Sequence, residues 1–183
     1  MVHWDGVSWT VTVLDPSVTD NYLDAVWTDA PNDVWAVGGG GTMVHFDGTA
    51  WSSITAGDAA LPTLFALWGS GANDFWAVGA SGPVLHWSGS IWSAEASAGY
   101  ELNSVWGLST GDIWLAGPNG VVLQGNGSRW ALSDSGAATD LVGLWGSATA
   151  GIWAVGAGGT ALHNASPPWQ VRESGAAVRW PPV

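Results

Sequence analysis

The sequence predicts an all-β fold, a β-propeller of four-stranded antiparallel blades. Three observations lead to this prediction. One Trp recurs four times at intervals of 41, 38 and 39 residues, a second follows each copy after 8 residues, and a third follows after a further 16. A tandem period near 40 residues, made of short strand-like segments, is typical of propeller blades. The three sets are Trp27, Trp68, Trp106 and Trp145; Trp35, Trp76, Trp114 and Trp153; and Trp51, Trp92, Trp130 and Trp169.

Each repeat is interpreted as four short strands. Strand 1 has the pattern Leu-x-x-[Val/Leu]-Trp, as in Leu64 to Trp68. Side chains alternate between faces of a strand, so this Leu and Trp share a face with the small Ala66, which suits an inner strand close to the propeller axis. An Asn-Asp turn precedes strand 2, which carries the second Trp, and a Gly-rich turn precedes strand 3. An Asp-Gly turn then leads to strand 4 and the third Trp.

The pattern divides the chain into four full blades and one half blade within a single domain of residues 1–183. We place the half blade at 1–16 and the blades at about 20–57, 61–97, 99–136 and 138–174. The half blade is recognised because His3 to Trp9 matches His45 to Trp51. The chain is then either a five-bladed ring or a fragment of a larger propeller. We expect closure or near-closure, with Val178–Trp180 completing the half blade, because open blade edges invite self-association.

The charge of the chain restricts the classes of partner. There are 15 acidic residues against three Arg and no Lys, and the formal net charge is −12. Binding to nucleic acid requires a basic surface, so nucleic acid and anionic membranes are disfavoured. The absence of Cys removes disulfides and thiolate metal sites. No apolar run is long enough to span a membrane, and the N-terminus is already repeat sequence, not a signal peptide.

Several phrases of the repeat resemble a known family. They are Leu67-Trp68-Gly69-Ser70, Asn73-Asp74-Phe75-Trp76-Ala77-Val78-Gly79 and the stretch from Gly41 to Trp51. They are similar to the Trp-rich repeats of bacterial secreted β-propellers, of the WD40, kelch and sialidase-type (BNR) group, over nearly the whole chain. The resemblance implies a propeller fold and an extracellular or cell-surface location. A sialidase-type enzyme, as the resemblance implies, needs an Arg cluster and a nucleophilic Tyr, whereas this chain has three Arg.

The His and Asp residues recur with the repeat, which indicates structural roles. His3, His45, His86 and His163 occupy one slot, filled by Gln124 in the third blade. We expect each of these side chains to hydrogen-bond a neighbouring indole N–H or backbone carbonyl rather than a metal ion. The repeated Asp residues are expected to form turns, and we predict no catalytic residue, no metal site and no cofactor.

The segments after strand 4 carry all the length variation and nine of the 15 acidic residues. Up-and-down strand order places them on the same side as the Gly-rich turns, and loops carry function more often than strands do. We therefore predict a non-catalytic binding or scaffold module that recognises a glycan, peptide or protein on an acidic loop face. The alternatives are a sialidase-type (BNR) glycoside hydrolase or lyase, and an inactive fragment of a larger repeat protein. The predicted binding residues are Tyr22, Asp58, Glu95, Tyr100, Glu101, Asp134 and Asp140.

Overall fold

Each repeat forms one antiparallel sheet in the computed structural model of the chain, which describes residues 1–55, 61–95, 99–165 and 169–172. Four sheets have four strands each, ordered as in the chain, and a fifth is a two-stranded hairpin. The predicted four blades and half blade are confirmed. The strands are β1 Val2–Trp4, β2 Trp9–Val11, β3 Leu23–Ala30, β4 Asp33–Gly38, β5 Met43–Phe46, β6 Trp51–Ile54, β7 Leu64–Gly71, β8 Asp74–Gly79, β9 Val84–Trp87, β10 Trp92–Ala94, β11 Ser104–Ser109, β12 Asp112–Ala116, β13 Val122–Gly125, β14 Trp130–Leu132, β15 Leu141–Ser147, β16 Gly151–Gly156, β17 Ala161–Asn164 and β18 Gln170–Val171.

The blades pack face to face along an arc. Blade 1 is β3–β6, blade 2 is β7–β10, blade 3 is β11–β14 and blade 4 is β15–β18. Their inner strands lie side by side, β3 against β7, β7 against β11 and β11 against β15. We call the face of a blade that meets the next blade its forward face, as with Trp76 and Val78 of blade 2, and the opposite face its rear face, as with Phe75 and Leu85. Within the described residues, the core consists of three apolar clusters, one between each pair of neighbouring blades.

The arc is open within the described residues. On the forward face of blade 4, Trp145 is 56% exposed and Val155 is 49% exposed. On the rear face of blade 1, Val26 is 63% exposed, although its equivalents Leu67 and Val105 are buried. The expectation of closure into a five-bladed ring is therefore wrong for this part of the chain. The segment that was expected to close the ring, Val178–Trp180, lies outside the described residues.

In blades 1 to 3, the first Trp packs on the blade that follows it. The ring of Trp68 lies where a Cβ at Gly107 would collide with it, and Trp106 Nε1 donates to Gly146 O at 3.0 Å. Trp68 is buried, Trp27 and Trp106 are half-buried, and Trp145 is exposed. Their equivalent positions in the repeat predict that all four are buried alike, which is correct for Trp68 and wrong for Trp145. The reason is that burial of this side chain depends on the blade that follows, and none of the described residues covers the forward face of blade 4.

The Gly-rich turns need left-handed backbone. In blade 1, Gly40 and Gly41 have φ of 60° and 72°. Blades 2 and 3 place Ser81 and Asn119 at the first of these positions, with φ of 64° and 55°. Asn is among the residues that tolerate this region best, so the turn keeps its shape without a second Gly there.

No helix among the described residues is long and apolar enough to cross a membrane.

The unequal burial of equivalent Trp residues predicts unequal costs of removing them. Trp68→Ala should lower the free energy of unfolding by about 3–5 kcal/mol, as loss of a buried aromatic ring does. Trp145→Ala should lower it by less than about 1 kcal/mol, because the ring already lies mostly in water. Urea denaturation of both variants followed by circular dichroism measures the difference. Equal losses would mean that Trp145 is covered in solution.

Candidate binding face

The loops after strand 4 pack against the Gly-rich turns. Asn21 Nδ2 donates to Thr42 Oγ1 at 2.8 Å, and the Gly120 N–H donates to Thr139 O at 2.8 Å. Loops and turns therefore share one side of the arc, as the strand order predicts, and we call this side the loop face. The anchoring contacts involve backbone as well as side chains, so the loops are held by the blades beneath them.

Two tyrosines are exposed on the loop face. Tyr22 is 63% exposed, and its ring lies against Gly39, where an added Cβ would come within 2.8 Å of the ring. Its hydroxyl is 3.5 Å from Thr63 Oγ1. Tyr100 is 40% exposed, and its backbone carbonyl lies tightly against Gly82. Each ring is thus presented to solvent from a backbone held against a glycine.

Several predicted acidic residues have partners within the chain. Asp140 Oδ1 accepts the Asn119 N–H at 3.0 Å, so Asp140 stabilises the left-handed residue of the neighbouring Gly-rich turn. Asp134 Oδ1 accepts the Gly136 N–H at 3.0 Å, and Glu95 Oε1 accepts the Ser93 hydroxyl at 3.0 Å.

Other predicted residues differ in their placement. Glu101 is exposed next to Tyr100, and Asp58 lies outside the described residues. The predicted site residues that the structure describes come from different interblade loops, so they follow the arc instead of converging on one point. The remaining lone pairs of the carboxylates make the face an acceptor surface.

The side of the arc opposite the loop face carries a hydrogen-bonded unit that the sequence predicted only in part. In blade 1, Asp33 Oδ1 accepts the Trp35 indole N–H at 3.0 Å and lies 2.8 Å from His45 Nε2. The imidazole also stacks on the indole, with ring centroids 4.2 Å apart. A carboxylate only accepts, so His45 must carry its proton on Nε2. The spacing Asp-x-Trp followed by His after ten residues was the signal for this unit, and it repeats in blade 2 with Asp74, Trp76 and His86.

The other two blades vary this unit. In blade 3, Gln124 Nε2 donates to Asp112 Oδ1 at 2.8 Å. In blade 4, Gly151 stands in the Asp position, and His163 Nε2 donates to Ala150 O at 2.7 Å. The prediction of a backbone carbonyl partner is correct for His163, whereas His45 and His86 bond a carboxylate instead. Among the described residues no three His, Cys, Asp or Glu side chains are grouped so that they could hold a metal ion.

The native Gln in blade 3 indicates which replacements of His45 the fold tolerates. His45→Gln should retain most of the stability, because an amide N–H can donate to Asp33 as Gln124 donates to Asp112. His45→Leu should cost about 1–3 kcal/mol, because the half-buried carboxylate loses a donor. Thermal unfolding at pH 7 of the two variants, beside the wild-type chain, measures the difference. Equal losses in the two variants would show that ring stacking on Trp35, not the hydrogen bond, carries the contribution.

The turns between strands 3 and 4 are built on one side-chain oxygen. Asp47 Oδ1 accepts the backbone N–H groups of Thr49 and Ala50 at 2.8 and 2.9 Å. These hydrogen bonds, that from Ala50 first, lower the pKa of Asp47 below its ordinary value of 3.8. Asp5 forms the same turn in the half blade with a lowered pKa, and Asn126 forms it without a charge in blade 3.

The lowered pKa of Asp47 makes the turn sensitive to acid. A depressed folded-state pKa contributes stability that is present above pH 3.8 and is lost as the pH falls through the folded value. Asp47→Asn keeps the acceptor and removes the titration. We therefore expect the unfolding temperature of the wild-type chain to fall more steeply between about pH 5 and 2 than that of Asp47→Asn. Parallel profiles would contradict this assignment.

Comparison with known proteins supports the fold. No protein-family model and no curated protein matches the chain. Among solved structures, YCF48 bound to D1 peptide is 17% identical with a TM-score of 0.70, covering 88% of this chain and 57% of its own. YCF48 from Cyanidioschyzon merolae is 14% identical with a TM-score of 0.67, covering 91% of this chain and 61% of its own. The chain thus spans less than two thirds of either structure, and at this identity the comparisons show that it has a β-propeller fold.

Proposed function

We propose that this chain is a non-catalytic binding module that recognises a peptide or protein segment on its loop face. The observation that carries the proposal is the exposure of Tyr22, Tyr100 and Glu101 on loops that are anchored to the blades beneath. Exposed aromatic rings on a rigid scaffold provide contact area with little loss of conformational entropy on binding.

The alternative of a hydrolase receives less support from the described residues. The Asp and His side chains of the repeat are bonded to one another or to backbone, as with Asp33 and His45. A general acid or base needs to reach a substrate proton, and these two groups are half-buried and already bonded to each other. We therefore propose that the module is not an enzyme.

A peptide is favoured over a glycan as the class of ligand. YCF48, a propeller with the same fold, has been solved with a D1 peptide bound. Glu101, Asp134 and Asp140 come from these loops, so we propose a segment with basic residues, attracted by the net charge of −12 and oriented by the carboxylates. The resemblance of the repeat to secreted propellers supports an extracellular or cell-surface location.

A basic probe tests this proposal. A fluorescein-labelled peptide of alternating Lys and Tyr is titrated against the wild-type chain and against the double variant Glu101→Gln and Asp140→Asn. The double variant should bind several-fold more weakly at low salt and show a shallower dependence on salt, because two screened charges have been removed. Asn at position 140 still accepts the Asn119 N–H, so the unfolding temperature should stay within a few degrees of wild type.

The matched control is the double variant Asp5→Asn and Asp47→Asn. It removes the same number of charges from turns on the opposite side of the arc, where Asn126 shows that Asn is tolerated. Equal weakening in both double variants would mean that only net charge matters and would remove the loop face as the site. Turnover of substrates in a glycosidase panel would overturn the non-catalytic assignment.

A further inference from the structure

A cavity of about 810 Å³ lies between the hairpin β1–β2 and the rear face of blade 1. It is away from the loop face and is not used by the function proposed above. Its volume is within the range of ligand-binding clefts in proteins. His3, Val26, Val34, Phe46 and Trp51 are among the residues that line it.

The walls of this cavity repeat the surroundings of a buried Trp elsewhere in the chain. Trp35 is stacked on His45 at 4.2 Å between centroids, and Phe75, Trp87 and Trp92 of blade 2 surround it at 5.2, 5.0 and 6.0 Å. The residues at the four equivalent positions, one repeat earlier, are His3, Val34, Phe46 and Trp51. All four line the cavity. The cavity therefore has the walls that this fold builds around the second Trp of a blade.

The same position offers a strand edge. Met1 and Thr12 exchange hydrogen bonds of 2.7 and 2.9 Å, and β1 pairs His3 with Thr10. In an antiparallel pair the intervening residues, Val2 and Trp4, direct their N–H and C=O groups to the other edge. In blade 1 the strand equivalent to β1 is β5, and the corresponding edge of β5 pairs with β4. Among the described residues, β2 alone pairs with β1.

The register of the complete blades defines what fits this edge. Trp35 lies opposite His45, and Asp33, two residues before that Trp, bonds His45. A strand that pairs with β1 in the same register places its Trp opposite His3 and in the cavity. An Asp two residues earlier would then accept the His3 N–H.

We propose that this cavity and the free edge of β1 bind an extended Asp-x-Trp segment of a partner protein. The backbone of the segment pairs with Val2 and Trp4, as strand-addition ligands do. Its indole packs among Val34, Phe46 and Trp51, and its carboxylate bonds His3. Val34 is smaller than Phe75, its equivalent in blade 2, so the cavity has room for the indole of the partner segment.

A peptide with the sequence of β8, Asp74–Gly79, extended by two Lys for solubility and labelled with fluorescein, tests the proposal. We expect binding of one peptide per chain, with amide chemical-shift changes at Val2, His3 and Trp4. Trp76→Ala in the peptide should weaken binding about tenfold or more, since aromatic anchors dominate such interfaces. Asp74→Asn in the peptide should weaken it several-fold, because a charged hydrogen bond is replaced by a neutral one.

Variants of the chain complete the test. Val34→Trp should abolish binding by filling the cavity, whereas Val142→Trp, the same change at an exposed site of blade 4, should leave it intact. His3→Ala should weaken binding several-fold, and His163→Ala should not. No binding at about 1 mM peptide, or equal binding to wild type and to the Val34→Trp variant, would overturn the proposal. The loop-face variants Glu101→Gln and Asp140→Asn should bind this peptide as the wild-type chain does, so the two proposals fail separately.

Discussion

The indole of the second Trp in a repeat holds two strands of its own blade together and also packs on the next blade. In blade 1 the N–H of Trp35 bonds Asp33 within the blade, while the ring packs on Phe75 of the following blade. Its stacking on His45 ties strand 2 to strand 3. One side chain thus takes part both in the hydrogen bonds at one end of its sheet and in the interface with the next blade. Because the repeat copies this residue, it copies the interface as well.

Where one component of this arrangement changes, the surrounding structure changes with it. In blade 3 the Asp bonds Gln124, and the buried indole N–H of Trp114 has no hydrogen-bond partner within the described part of the chain. In blade 4, Gly151 replaces the Asp, and Trp153 is half-buried on the open forward face. The complete unit, in which the indole has both an Asp carboxylate and a His imidazole as neighbours, is therefore found in blades 1 and 2.

The two sides of the arc differ in which of their residues are available to a partner. On one side, the Asp residues of the repeat hydrogen-bond groups of their own blade. Asp33, for example, bonds Trp35 and His45. On the loop face the carboxylates and the tyrosines come from segments that the repeat does not specify, and Tyr100 and Glu101 remain exposed. The residues of the Asp-Trp-His unit recur along the repeat with few changes, whereas Tyr100 and Glu101 occur once. Recognition on this face therefore depends on the loops, while the blades only hold them in place.

The repeat alone predicted the blades, their strand order, the structural role of His45, His86 and His163 and the side on which the loops lie. These features follow from spacing and alternation, which determine where a side chain points along a strand. The spacing could not predict the exposure of Trp145, the openness of the arc, the bond between His45 and Asp33 or the bond between Asp140 and Asn119. Each depends on what packs against a face from another part of the chain, and a local pattern that is identical in four copies cannot distinguish a face that is covered from one that is not. The sequence thus determined the faces, and the tertiary structure alone decided which of them are covered.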